Sequence, residues 1–270
     1  MVIVSKSNDK IKYINSLKDK KYRDKYNKYI LEGIKLVNEG ISSGDNTLEF
    51  IVLSRELLES HQGGKELYAN LKDLDNVLEV VSKVFEYLSD TETPQGVLVV
   101  LDKRKNTLKD LIDNINNNEK VIVLDKIQDA GNMGTIIRTA VAFGINNIVC
   151  LKGSVDVYSS KVIRSTMGAI YKTNIFYVNL DEMKEVKQAL TSNGYDLCGT
   201  DLKATKFLNE TKPNNKTVYV LGNEANGMSE EIKDICDSFV KIPMESVQES
   251  LNVGVAAAIL MYNGYIGGEA

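Results

Sequence analysis

A chain of 270 residues, 43% of them hydrophobic, has enough apolar content for one large domain or two ordinary ones. No apolar run is long enough to cross a bilayer, and the first ten residues, MVIVSKSNDK, lack the apolar region of a secretion signal, so a cytoplasmic protein without membrane partners is expected. The net charge of −4 hides an asymmetry, because residues 1–40 hold ten Lys or Arg against five Asp or Glu, leaving −9 on the remainder. A basic arm of this kind either binds phosphate backbone locally or simply solvates a mixed-charge helix. Cys150, Cys198 and Cys236 are too widely spaced for a zinc knuckle, and an odd count argues against a disulfide framework. The single histidine, His61, lies beside a Gly-Gly pair, so histidine triads and histidine-rich metal sites are excluded and no metal is expected.

In chain order, residues 10–41 read as helical, with Ile11, Ile14, Leu17, Ile30, Ile34 and Val37 at helical spacing. LEFIVLS (48–54) and VLEVVS (77–82) read as strands, KELYANLKDL (65–74) as a helix, and TPQGVLVVLD (93–102) as a turn and an apolar strand. Residues 1–102 thus make a small α/β domain. Charge and asparagine dominate 103–119, where a linker is expected. The second domain, 120–270, opens with the apolar strand KVIVLDKI and a helix from about Met133 to Phe143. NIVCLKG, NIFYVN, YDLCGTD, TVYVLGNE and FVKIPM read as further strands, alternating with helices over 159–168, 181–193 and 229–236. Strands apolar throughout and separated by helices predict a parallel sheet covered on both faces. Such sheets bind ligands beyond the carboxyl ends of their strands.

Three strand ends carry unusual chemistry. In DKIQDAGNMGTIIRTAVAFG (125–144), Asn132 suits a helix N-cap and Arg138 falls off the apolar face of the helix that follows. In VYVLGNEANGMSEEI (218–232), a buried strand runs into Gly222, Asn223, Glu224 and Gly227, placing a carboxylate where a ligand would lie. In FVKIPMESVQESLNVGVAAAIL (239–260), Ser250 can cap the last helix, leaving Asn252 in its first turn and backbone N–H groups open to an anion. Neither a P-loop nor a G-x-G-x-x-G fingerprint occurs, which counts against a nucleotide-dependent dehydrogenase.

Taken in order, N-x-G-x-x-x-R (Asn132, Gly134, Arg138), G-N-E-x-x-G (Gly222, Asn223, Glu224, Gly227) and I-P-M followed by S-L-N-V (Ile242 to Met244, Ser250 to Val253) resemble the motifs of the SpoU–TrmH family of RNA ribose 2′-O-methyltransferases, in the SPOUT class. The match covers about 120 to 267, and residues from about 20 to 101 look, more loosely, like the family's ribosomal-protein-like substrate-binding domain. Ala225 stands where many relatives have Gly and leaves the carboxylate intact.

The resemblance implies an α/β fold whose C-terminal parallel-sheet domain is tied in a trefoil knot, a rare exception to unknotted topology. It implies S-adenosylmethionine as cofactor, held by Thr200, Leu221, Gly222, Glu224, Ile242, Met244, Ser250 and Leu251. It also implies a homodimer joined through the knotted domains and an RNA substrate, 23S ribosomal RNA above transfer RNA. Arg138, Asn132, Glu224, Ser250 and Asn252 become the expected catalytic set. Arg138 either activates the ribose hydroxyl or, since a guanidinium rarely gives up its proton, holds phosphate and stabilises the developing alkoxide. Lys161 and Arg164, on the polar face of the 159–168 helix, are expected phosphate contacts. The rival of another class is a knotted RNA-binding or ribosome-assembly protein without turnover, against which the intact polar set counts.

Overall fold

The computed structural model describes residues 2–42, 47–117, 119–211, 216–245 and 250–266. Asn118 in the expected linker, the 246–249 stretch before the last helix, and Met1 and 267–270 at the ends of the two expected domains lie outside the described residues. The chain divides into two units, one of Met1–Arg104 with Tyr158–Tyr171, the other of Lys105–Val157 with Lys172–Ala270.

The first unit contains α1 (Asp9–Ser16), α2 (Lys20–Tyr26), β1 (Lys28–Glu32), α3 (Ile34–Ser42), β2 (Leu48–Leu53), α4 (Arg55–Glu59), α5 (Gly64–Leu71), β3 (Val77–Glu79), α6 (Ser82–Leu88) and β4 (Val97–Asp102). Its sheet runs β1-β4-β2-β3, antiparallel except for the β2–β3 pair. The helical reading of 10–41 is therefore corrected. Asn8 and Asp19 cap two short helices with their side chains, and Asn27, at φ 55, turns the chain left-handed out of α2. The next five residues alternate in burial, with Tyr29 and Leu31 inward, a period of two that the helically spaced isoleucines around it conceal.

The second unit begins with α7 (Leu108–Asn116) and β5 (Val121–Leu124), followed by α8 (Ala130–Ala142) and β6 (Asn147–Leu151). The chain then contributes α9 (Ser160–Thr166) to the first unit. There Tyr158 packs its ring 4.9 Å from that of Tyr29, and the Tyr171 hydroxyl donates to the Leu36 carbonyl at 2.7 Å. The second unit resumes with β7 (Asn174–Val178), α10 (Leu180–Ser192), β8 (Asp196–Thr200), β9 (Lys206–Phe207), β10 (Thr217–Leu221), α11 (Glu230–Lys233), β11 (Ser238–Lys241) and α12 (Val253–Ile266).

Its seven strands pair in parallel in the order β7-β6-β5-β10-β8-β11-β9. The fully buried β5 and β6 show why the apolar runs carry no alternation, since both faces of this sheet are covered. The expected linker instead holds α7. Thr107 and Asp110 form a reciprocal capping box, and Leu111 and Ile115, four apart on one helix face, are buried against Val121, Val149 and Phe176. Strands after β5 extend the sheet to one side (β6, β7) and later ones to the other (β10, β8, β11), so the switch point lies between β5 and β10.

Candidate functional site

Beyond the carboxyl ends of β8, β10 and β11 a cleft of about 470 Å³ opens. Its walls bring together all eight residues expected to hold a cofactor: Thr200, Leu221, Gly222, Glu224, Ile242, Met244, Ser250 and Leu251. The Thr200 hydroxyl donates to the Val220 carbonyl at 3.0 Å, which ties the end of β8 to β10. At Gly222 a Cβ would stand 2.2 Å from the Met228 nitrogen and 2.3 Å from the Gly227 carbonyl carbon, so only glycine lets the chain fold back here.

The fold-back is a built turn. Asn223 and Gly227 exchange backbone hydrogen bonds, each of 2.9 Å, while the Asn223 Oδ1 accepts from Ala225 N and Asn226 N. Asn223 Nδ2 donates to the Lys126 carbonyl at 2.9 Å, joining this turn to the loop after β5. Asp125, 1% exposed, holds the far side, its Oδ2 accepting from both N and Oγ of Ser229 at 2.6 and 2.8 Å. Asp125 escaped sequence reasoning because a lone aspartate after an apolar strand has no distinguishing signal.

The turn presents Glu224 to a polar chain. Glu224 Oε1 accepts from Asn132 Nδ2 at 3.0 Å, and Asn132 Oδ1 accepts from Asn252 Nδ2 at 2.8 Å. Asn252 Oδ1 in turn accepts from the backbone N–H groups of Gly254 and Val255 at 2.9 and 3.3 Å. Each amide has its orientation set by its two neighbours. The chain therefore runs from the positive end of α12 to a carboxylate, with every dipole aligned. Three residues separated by 92 and 120 positions meet here.

Two capping expectations are corrected. Asp129, not Asn132, caps α8 by accepting from Asn132 N, which frees the Asn132 side chain for the polar chain. Asn252, not Ser250, caps α12 through its Oδ1, because the helix starts at Val253 and its third residue reaches back to that side chain. Ser250 remains on the cleft wall.

Arg138 is exposed and makes no hydrogen bond or ion pair with another described residue. It lies six residues beyond Asn132 on α8, roughly 9 Å along the axis and about 120° round it, so the helix does not bring it into the polar chain. Lys161 is exposed on α9, whereas Arg164 is half-buried in the first unit, with its Nη1 sequestered and lacking a partner among the described residues. Both belong to the unit that does not contain the cleft. Burial pushes the Cys150 thiol up to about 12 and, with a lesser contribution from Cys198, the Cys236 thiol to about 12, which leaves both protonated and poorly nucleophilic at neutral pH.

The SpoU rRNA methylase family model matches residues 119–262, which hold every member of the cleft and of the polar chain. The chain belongs to the SpoU rRNA methylase family. Residues 8–99 match the MRM3-like substrate-binding domain. The chain is 30% identical over 262 residues, 97% of its length and 98% of the relative's, to the 23S rRNA (guanosine(2553)-2′-O)-methyltransferase RlmP of Bacillus subtilis. Among solved structures it resembles an AdoMet-bound rRNA methyltransferase from Sinorhizobium meliloti, with a TM-score of 0.81 and 26% identity over 98% of this chain and 97% of that one. The SpoU methyltransferase AviRb from Streptomyces viridochromogenes, solved with AdoMet, shares the fold with a TM-score of 0.82 at 22% identity, covering 97% and 99% of the two chains.

Proposed function

We propose that this protein transfers a methyl group from S-adenosylmethionine to the 2′-hydroxyl of a guanosine ribose in 23S ribosomal RNA. The observation that carries the reading is the polar chain Glu224–Asn132–Asn252 standing beside a cleft at the strand ends of a SpoU-family sheet. The RlmP likeness, spanning nearly the whole of both chains, supports the RNA and the base.

The residues present fit the cofactor. Leu221, Ile242, Met244 and Leu251 offer an apolar wall to a purine, and Gly222 keeps the backbone bare where a Cβ would collide. When bound, S-adenosylmethionine supplies a methyl carbon already activated by its positive sulfur. The protein's part is alignment and charge. Glu224, held by Asn132, would offer a bound cationic group a carboxylate on the cleft wall, and its Oε2 has no donor among the described residues. Asn252 passes the field of α12 into the same chain. Arg138, exposed and unpaired among the described residues, steadies the phosphate beside the target ribose and the oxyanion that develops on the attacking oxygen. Ser250 completes the rim of the cleft.

The first unit serves as the RNA-binding domain, and the knotted domain carries the chemistry. Support comes from a run of rings, Tyr22–Tyr26–Tyr13–Phe50, with consecutive centroids 6.3, 5.1 and 6.3 Å apart. Lys21, Lys25 and Lys10 lie over Tyr22, Tyr26 and Phe50 at 5.8, 5.0 and 5.3 Å. Rings and cations interleaved in this way suit unpaired bases on a phosphate backbone. Lys161 and Arg164 add cations to the same unit. The trefoil knot of the family closes through α12, and the working form is a cytoplasmic homodimer. Val255, Tyr262, Tyr265 and Ile266 expose an apolar strip of α12 that a second knotted domain would cover. Light scattering at micromolar concentration should give twice the chain mass; a monomer mass removes the dimer from the reading.

The deciding experiment maps ribose methylation in ribosomal and transfer RNA from a strain lacking the gene. One 23S guanosine should lose its 2′-O-methyl group and regain it with purified protein and S-adenosylmethionine. Restoration only in transfer RNA would redirect the substrate, and none in either would leave a binding protein without turnover.

A further inference from the structure

Lys126, directly after Asp125 at the end of β5, adopts φ 58, a left-handed conformation that glycine takes without strain and a lysine does not. Of the other described non-glycine residues with positive φ, two are asparagines, the type that tolerates it best, and the third is Met167. The conformation is enforced from outside, because the Lys126 carbonyl is the acceptor for Asn223 Nδ2. What the backbone does not require is the side chain.

That side chain has a defined course. A Cβ on Gly153 would lie 3.2 Å from Lys126 Cγ and 3.7 Å from its Cδ, so the stem runs across Gly153. Lys152 stands at the equivalent point on the next strand, since Leu124 and Cys150 are register partners and each lysine follows two residues later. Both lysines are exposed, and neither ammonium has an ion-pair or hydrogen-bond partner among the described residues. Of the carboxylates in the adjoining loops, Asp129 caps α8 and Glu224 Oε1 accepts from Asn132.

The sheet order places these cations. The cofactor cleft lies over β10, β8 and β11, and the lysines crown β5 and β6 on the other side of the switch point, with the Asn223–Glu224 turn between. We propose that Lys126 and Lys152 form the phosphate contact that guides the RNA strand to the reaction centre from the β5–β6 side. This rests on the reading of the chain as an RNA methyltransferase. What the strained lysine contributes is its charge, and the bare Gly153 gives its stem a track.

The test uses the full-length protein and ribosomal RNA purified from the deletion strain. Lys126→Gly relieves the backbone and removes the charge, while Lys126→Met keeps the stem and removes only the charge. Both should weaken RNA binding about fivefold and make the slope of log affinity against log salt shallower by roughly 0.7 to 0.9. Adding Lys152→Ala should about double the slope change. S-adenosylmethionine affinity should stay within about twofold by calorimetry, Lys126→Gly should melt no lower than wild type, and Lys126→Arg should bind RNA as wild type does. Wild-type RNA affinity and salt slope in both Lys126→Gly and Lys126→Met would overturn the assignment while leaving the methyltransferase reading intact. A wild-type protein that neither binds nor methylates this RNA would overturn that reading, and the lysine assignment with it.

Discussion

In the first unit the interleaved rings and cations assigned above to RNA are near neighbours in sequence: Tyr13, Tyr22, Tyr26 and the lysines among them occupy two consecutive short helices, and only Phe50 comes from elsewhere. In the second unit Asn132, Glu224 and Asn252 come from three distant segments and touch only because a parallel sheet gathers its strand ends on one edge. The first arrangement is a surface assembled from many small, additive contacts. The second is a linked set in which each member orients the next, so its losses should be larger and non-additive.

The largest expected effect falls on the backbone beneath the linked set. Gly222→Val forces the 222–228 fold-back open, and cofactor affinity should drop at least ~100-fold, about 2.7 kcal/mol, by calorimetry. Wild-type affinity in a folded Gly222→Val protein would show that the fold-back does not shape the cleft. Arg138→Ala should follow, with methyl transfer slowed at least ~100-fold but the melting temperature and cofactor affinity unchanged. Arg138→Lys should also turn over poorly if the planar fork grips phosphate and ribose; turnover at the wild-type rate would remove Arg138 from the reaction.

Asn252 separates structure from chemistry within one residue. Asn252→Ala loses both the helix cap and the donor to Asn132, costing about 1 kcal/mol of stability as well as activity. Asn252→Asp keeps an acceptor for Gly254 and Val255 but sets a carboxylate against Asn132 Oδ1. It should melt near wild type and still lose about tenfold in kcat, a loss on the scale of one polar contact, ~1.4 kcal/mol. Full activity in the Asp variant would mean that the chain of amides does not reach the reaction. The smallest effect belongs to the first unit, where Tyr26→Ala should weaken RNA binding about fivefold, the low end of what a stacked base contributes. A loss as large as that from Arg138 would erase the distinction between the two regions.

The parallel sheet was legible because its strands are apolar throughout; the polar strand ends stood out by themselves, but the cleft residues came only from the resemblance of those motifs to the SpoU–TrmH family. What escaped was decided by tertiary partners. Lys28–Glu32 reads as helix until β4 pairs with it, and 108–116 reads as linker until the core behind Leu111 and Ile115 is known. Asn132 looked like a cap because amides before apolar helices usually are caps; Asp129, three residues earlier, took that role. Lys161 and Arg164 follow a strand of the second unit in sequence yet fold with the first, which no local pattern records.

That last feature bears on how the protein is made. The first unit is discontinuous: Tyr158–Tyr171 completes it, burying Val162 and Ile163 and bonding Tyr171 to Leu36 and Arg104. At translation rates of roughly 5–20 residues per second, residues up to Arg104 wait several seconds before their missing segment is synthesised. During that interval the basic, tyrosine-rich helices emerge on a unit that has its four strands but lacks α9, beside the ribosome's own RNA. One hydrophobic core of that unit, running from Ile11 to Val100, lies wholly before Arg104, so what waits for Tyr158–Tyr171 is the face that α9 covers. A product ending before Tyr158 would leave Tyr29 without its ring partner Tyr158 and the Leu36 carbonyl without the Tyr171 hydroxyl.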